Sequence, residues 1–282
     1  MERRIVINAD DFGLTEGINR GIVQAHTDGV LTSTTIMANM PAAEKAVKMA
    51  KRQPKLGVGI HLNLSEGQPI SSQAGIDCLV NEDGLFTYSP SKLAFLSLTS
   101  NKIRKALRSE LAAQIQWLID SGIKPTHLDS HKHIHCFPAI FPIICSLARE
   151  FEITAMRWPF EPGELSQMPW PLPSEGGRKR AKLIRLFAKI NRIQNSSFFK
   201  TDVFLGIAHT GKIDVNFFKA LALYNSAQTT ELMTHPGFAD GLNAANTRLL
   251  HQRKVELDAL CSERTKQYLK EAGIELVHYG EL

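Results

Sequence analysis

No apolar run in the 282-residue chain approaches the roughly 20 residues that a membrane-spanning helix requires. The four cysteines (Cys78, Cys136, Cys145 and Cys261) are scattered and form no CxxC pair, which fits free thiols in a reducing compartment. Met1-Glu2-Arg3-Arg4-Ile5 runs straight into a strand-like segment without the apolar region of a signal peptide, so a cytoplasmic location is expected. No DNA- or RNA-binding motif is present, and a net charge of +5 is too modest to imply a nucleic-acid partner. There is no internal repeat and no linker.

With 43% hydrophobic and 22% charged residues, the composition is that of an ordinary globular protein with a real core. Length alone allows one large α/β domain or two modest ones. Arg4-Ile5-Val6-Ile7 reads as a buried parallel strand ending in Asn8-Ala9-Asp10-Asp11-Phe12-Gly13. Thr15 caps a following helix, and Gly29 stops it. Val30 to Met37 and Leu56 to Leu64 are further strands, with a helix from Pro41 to about Gln53 between them. Residues 65 to about 100 read as loop, and a helix runs from about Asn101 to Ser121.

A helix is expected from Pro138 to about Phe151, a strand over Ile153 to Met156, and a helix from about Arg178 to Ile193. Short strands near Val203 and Leu232 flank a helix from Asp214. A long helix over about Asn246 to Ala272 precedes a last strand, Ile274 to Val277. Alternating strands and helices predict one parallel α/β domain over residues 1–282, and some seven strands favour a barrel-like closure over an open sheet. A proline-rich excursion at about 158–177 would form a rim or lid.

The densest chemistry lies in Thr126-His127-Leu128-Asp129-Ser130-His131-Lys132-His133-Ile134-His135, which holds four of the ten histidines. In extended backbone the odd positions share a face, so that face would consist almost wholly of metal-ligand or proton-transfer groups. Asp10-Asp11 follows the first strand, His61 lies in the third, and Thr234-His235-Pro236-Gly237 comes late. Each is weak alone, since an Asp pair can cap a helix and a lone His can sit satisfied in a core. Strand ends of a barrel converge on one mouth, and the convergence is what points to a site. There, an Asp with two His suits a divalent cation, an adjacent carboxylate can accept a proton from water, and a separate His can donate one.

As a set these motifs resemble the YdjC-like carbohydrate deacetylases, which include chitooligosaccharide and hopanoid-associated deacetylases. The matching pieces are Asn8 to Gly13, Gly59-Ile60-His61-Leu62, Thr126 to His135, and Thr234-His235-Pro236-Gly237-Phe238, in family order. The resemblance implies a single deformed (β/α) barrel related to NodB-type polysaccharide deacetylases, and hydrolysis of an N-acetyl group from an acetamido sugar. It implies Asp11, His61 and His131 as metal ligands, Asp10 as general base and His235 as general acid. Asp129 and His133 would orient ligands or touch substrate, and His127 and His135 would be structural or rim residues. Magnesium is the implied metal, and zinc is the chemical alternative because two imidazoles favour it. The family often pairs, so a homodimer is an open expectation. A metal-dependent hydrolase or isomerase acting on another carbohydrate, or a non-catalytic sugar-binding module, stays the alternative. Against the last, a binding site needs neither base nor acid.

Two features go beyond a plain sugar deacetylase. Arg178, Lys182, Arg185, Lys189 and Arg192 form a basic stripe beside Leu183, Leu186, Phe187 and Ile190. This is either a solvated helix face or a docking face for an anionic membrane surface. If it docks, reversing three of the charges abolishes co-sedimentation with anionic vesicles, and unchanged partitioning leaves a solvated face. Trp158 and Trp170 either stack on sugar or pack in the core.

Overall fold

Strand β1 (Arg3–Phe12) is the spine of a seven-stranded parallel sheet. The computed structural model describes residues 3–163, 171–191, 198–242 and 247–282. On one edge β1 pairs with β2 (Ser33–Ile36), followed outward by β3 (Gly57–Leu62) and β4 (Leu128–Ser130). On its other edge it pairs with β6 (Thr229–Thr234) and then β5 (Val203–Leu205), while β7 (Ile274–Leu276) takes the start of β1. Ile5, Val6, Ile7 and Ala9 are completely buried, as expected of a parallel strand covered on both faces.

Helices cover the outside. They are α1 (Glu16–Thr27), α2 (Ala43–Ala50), α3 (Pro90–Thr99), α4 (Asn101–Asp120), α5 (Phe141–Glu150), α6 (Glu175–Asn191), α7 (Val215–Tyr224), α8 (His251–Cys261) and α9 (Glu263–Glu271). Thr15 caps α1 by accepting the Ile18 N–H, and Asp214 caps α7 by accepting that of Phe217. Gly59 lets strand and side chain meet, because a Cβ there would sit 2.6 Å from the His127 ring.

The fold is a deformed (β/α) barrel, and the deformation lies between β4 and β5. The strand predicted over Ile153 to Met156 is reduced to isolated bridges, Leu128 with Met156 and Ala155 with Phe199. Pro159 and Pro162 have no N–H to donate, so the wall continues as irregular chain, reaching β5 where Phe204 N donates to Phe160 O at 3.4 Å.

Three other expectations change. Residues 65–100 contain a turn of 3-10 helix and α3, whose cap is Ser89 and whose first residue is Pro90. The long final helix is two, broken at Ser262, whose backbone is extended (φ −68°, ψ 131°); residues 243–246 lie outside the described part. Trp158 packs in the core against Phe141, and Trp170 lies outside the described residues.

On α6 Leu183, Leu186 and Ile190 are exposed, as are Arg178, Lys182 and Lys189. Arg185 is half-buried against Gly163, so it leaves the solvated stripe, and Arg192 is not among the described residues. No helix among the described residues is long and apolar enough to cross a membrane.

Candidate metal centre and active site

Parallel strands deliver their carboxyl ends to one rim, and four neighbours supply a row of polar groups there. Regular alternation would send Asp10 and Asp11 to opposite faces of β1. Instead the register against β2 shifts between Ala9 and Phe12, and Asp11 adopts φ 70°, a left-handed conformation that Asp tolerates better than most residues. This irregularity brings both carboxylates to His61. One oxygen or ring nitrogen each from Asp11, His61 and His131 lies within 4.8 Å of the others, as do those of Asp10, His61 and Asp129.

The first trio fits a cation. His61 Nε2 stands 3.6 Å and His131 Nδ1 3.1 Å from the same oxygen, Asp11 Oδ1. Each imidazole has its other nitrogen held by a carboxylate, as metal-binding histidines usually do. His61 Nδ1 is 2.6 Å from Asp129 Oδ1, with the Thr35 hydroxyl 3.1 Å away, and His131 Nε2 is 3.0 Å from Glu66 Oε1. Burial lowers the basicity of both rings, but Asp129 outweighs it at His61, lifting that ring, and Asp11 with Glu66 outweighs it at His131, raising it to about 9. In the second trio the two carboxylates instead share a buried guanidinium.

That guanidinium is Arg157, fully buried. It grips Asp10 with two bonds of 2.7 and 2.6 Å, meets Asp129 at 2.7 Å, and donates from Nε to Glu231 at 2.6 Å. Burial pushes the Asp10 carboxyl up, yet the charge and hydrogen bonds of Arg157 prevail and hold it well below the usual carboxylate range. Glu231, which also accepts the Tyr279 hydroxyl, is left by burial at about 7 despite Arg157.

His235 follows β6, whose last residue, Thr234, is in register with Ala9, so it stands level with Asp10 on the adjoining strand end. Burial lowers it to about 4 although Asp10 and Asp11 pull the other way, so the imidazole is neutral near pH 7. Its backbone N–H donates to Glu256 at 2.6 Å, and Arg253 donates to Asp11 Oδ2 at 2.6 Å. Asp11 also lies well below the ordinary range, because Arg253 and His131 override its burial. Arg253 leaves Oδ1 as the oxygen that faces the two imidazoles.

The structure therefore gathers Asp10, Asp11, His61, His131, Asp129 and His235. The extended face expected over residues 126–135 does not form. β4 loses its partner after the Leu62–Ser130 pair, and His131 to Cys136 turn as short 3-10 pieces kinked at Lys132 and His133, whose φ of 54° and 53° are left-handed rather than helical. His133 consequently packs against Phe204 and makes no bond to the trio. His127 stacks on Tyr279, and His135 bonds Ser130.

Glu66, Arg157, Arg253 and Glu256 escaped the sequence reading. Arg157 carries a usable signal, since it directly follows a predicted strand. Arg253 and Glu256 share a helix face with Leu257 and Leu260, a pattern that reads as amphipathic surface until the helix is placed. Beside Glu66 and Lys132 a cavity of ≈ 750 Å³ opens, lined also by Thr15, Met40 and Phe86, within the usual size of small-molecule sites.

Fold and site together define a (β/α)-barrel protein with an Asp-His-His cluster at its mouth. The description "YdjC-like protein" fits residues 4–271, and the chain belongs to the YdjC-like family. A carbohydrate deacetylase of Brevibacillus brevis is 32% identical over 280 residues, 99% of each chain. One from Geobacillus stearothermophilus is 34% identical over 281 residues, covering 100% of this chain and 98% of the relative. A crystal structure from Enterococcus faecalis V583, described as a candidate cellobiose-phosphate cleavage protein, superposes with a TM-score of 0.79 at 25% identity. That match covers 100% of this chain and 99% of the other.

Proposed function

We propose that this protein is a metal-dependent hydrolase that removes the N-acetyl group of an acetamido sugar and releases acetate. The observation carrying this reading is the cation-fitting trio Asp11, His61 and His131, with the carboxylate of Asp10, paired with Arg157, beside it and the imidazole of His235 on the adjoining strand end. The full-length carbohydrate deacetylase relatives support the same chemistry.

A divalent cation held by the trio would polarise the acetamide carbonyl and ease proton loss from water. Asp10, kept ionised by Arg157, accepts that proton as the water oxygen bonds to the carbonyl carbon. His235, neutral at rest, takes that proton on from Asp10 and passes it to the nitrogen as the C–N bond breaks, so both residues end as they began. The products are acetate and a free amino sugar. Family resemblance favours magnesium, while the two imidazoles favour zinc, manganese, iron or cobalt.

Acetate release from N-acetylglucosamine, chitobiose and glycolipid acceptors, with and without chelator, tests this. Release is expected to fall to background after chelation and to return when a divalent cation is restored. Release unaffected by chelator overturns the metal dependence, and no release from any acetamido sugar overturns the substrate class.

A further inference from the structure

We propose that Glu66 is a positioning residue for His131, keeping the ring proton on Nε2 so that the Nδ1 lone pair faces the cation. This rests on the reading of Asp11, His61 and His131 as cation ligands. When a cation takes the place of the Nδ1 proton the imidazole keeps one proton, and an ionised carboxylate only accepts hydrogen bonds. Glu66 Oε1 lies 3.0 Å from His131 Nε2 while Nδ1 points at Asp11 Oδ1, 3.1 Å away. His61 is arranged in reverse, with Nδ1 on Asp129 and Nε2 toward Asp11. The two imidazoles thus offer opposite nitrogens, each fixed by a carboxylate of its own.

The loop is built to hold Glu66 there. Asn63 Oδ1 accepts the N–H groups of Ser65 at 3.0 Å and Glu66 at 3.2 Å. The Glu66 carbonyl accepts from Asn63 Nδ2 at 2.7 Å and Asn39 Nδ2 at 2.9 Å. Gln114 of α4 ties down the Asn63 backbone, donating to its carbonyl at 2.6 Å and accepting its N–H at 2.9 Å. Glu66 also meets Lys132 Nζ at 2.9 Å, but Lys132 is half exposed, and such a pair alone is worth little.

Cobalt(II) is the probe, titrated into chelator-treated full-length protein and followed by visible absorption. Wild type, Glu66→Ala and Glu66→Gln are compared, with melting of the metal-free proteins alongside. Glu66→Ala is expected to weaken cobalt binding about 10–100-fold. Glu66→Gln, whose amide oxygen can still accept the Nε2–H, is expected to stay within a few-fold of wild type with the same absorption envelope. Metal-free melting temperatures should be nearly equal. Wild-type affinity in Glu66→Ala overturns the proposal, as does an equal loss in both variants, which would make charge rather than proton placement decisive. Failure of wild type itself to bind cobalt would sink the cation-site reading beneath it.

Discussion

Asp10→Asn is expected to lower kcat for acetate release by about 10²–10⁴-fold, the usual loss when a general base is removed, with cation affinity retained. The substitution is nearly isosteric. Arg157 still has Asp129 and Glu231 as anionic partners, and Asn8, which donates to Asp10 at 3.0 Å, can turn its amide to suit. The cation trio uses Asp11, His61 and His131, none of which bonds Asp10. His235→Ala is expected to lose turnover to a similar degree, because it removes the imidazole that delivers the proton to the leaving nitrogen. Residues that act in one proton path do not add, so the double variant should fall little below the weaker single one. Single-turnover acetate release with parallel cation titration checks all three variants. Near-wild-type turnover in either single variant removes that residue from the assigned role. Loss of cation binding in Asp10→Asn would mean that Asp10 acts through Asp11.

The candidate trio was legible because strand ends can be located from apolar runs, and barrel topology brings such ends together. Asp11, His61 and His131 each close or follow one. What supports them was not legible. Arg157 and Glu231 become a pair only when the irregular wall after β4 faces β6, 74 residues further along. Glu231 sits in Thr229–Thr234, a strand whose pattern gives no reason for a carboxylate until the guanidinium is in place. Glu66 lies in a stretch rich in Ser and Gly that reads as plain loop, and its role depends on side chains from Asn39, Asn63 and α4. The opposite error came from periodicity. Five polar groups at odd positions imply one face only while the backbone stays extended, and Ser130 is the last residue of β4. Local pattern locates candidate polar groups at strand ends, whereas the shell around them is set by tertiary contacts.

Arg157→Met is expected to be the most damaging single change to stability. Removing one partner of a buried ion cluster typically costs about 3–5 kcal/mol, since the groups left behind stay charged and unsolvated. Here three carboxylates, Asp10, Asp129 and Glu231, would share the loss, and all are buried. The direction with pH follows from linkage. In wild type Asp10 and Asp11 sit below their unfolded values, so their contribution is present at neutral pH and fades as pH falls below the ordinary carboxylate range. Without Arg157 the buried acids rise above their unfolded values. Their penalty is then full at alkaline pH and is relieved as pH falls and they take up protons. Glu231 already stands near 7 in wild type, so its own pH dependence partly cancels in the comparison. The melting temperature of Arg157→Met should therefore lie far below wild type at about pH 8 and closer to it at about pH 5. A gap that stays constant with pH would show that lost packing, not stranded charge, is what the variant suffers. Should Arg157→Met not fold at all, Arg157→Lys keeps one cation without the planar fork, and its smaller gap should narrow with falling pH in the same way.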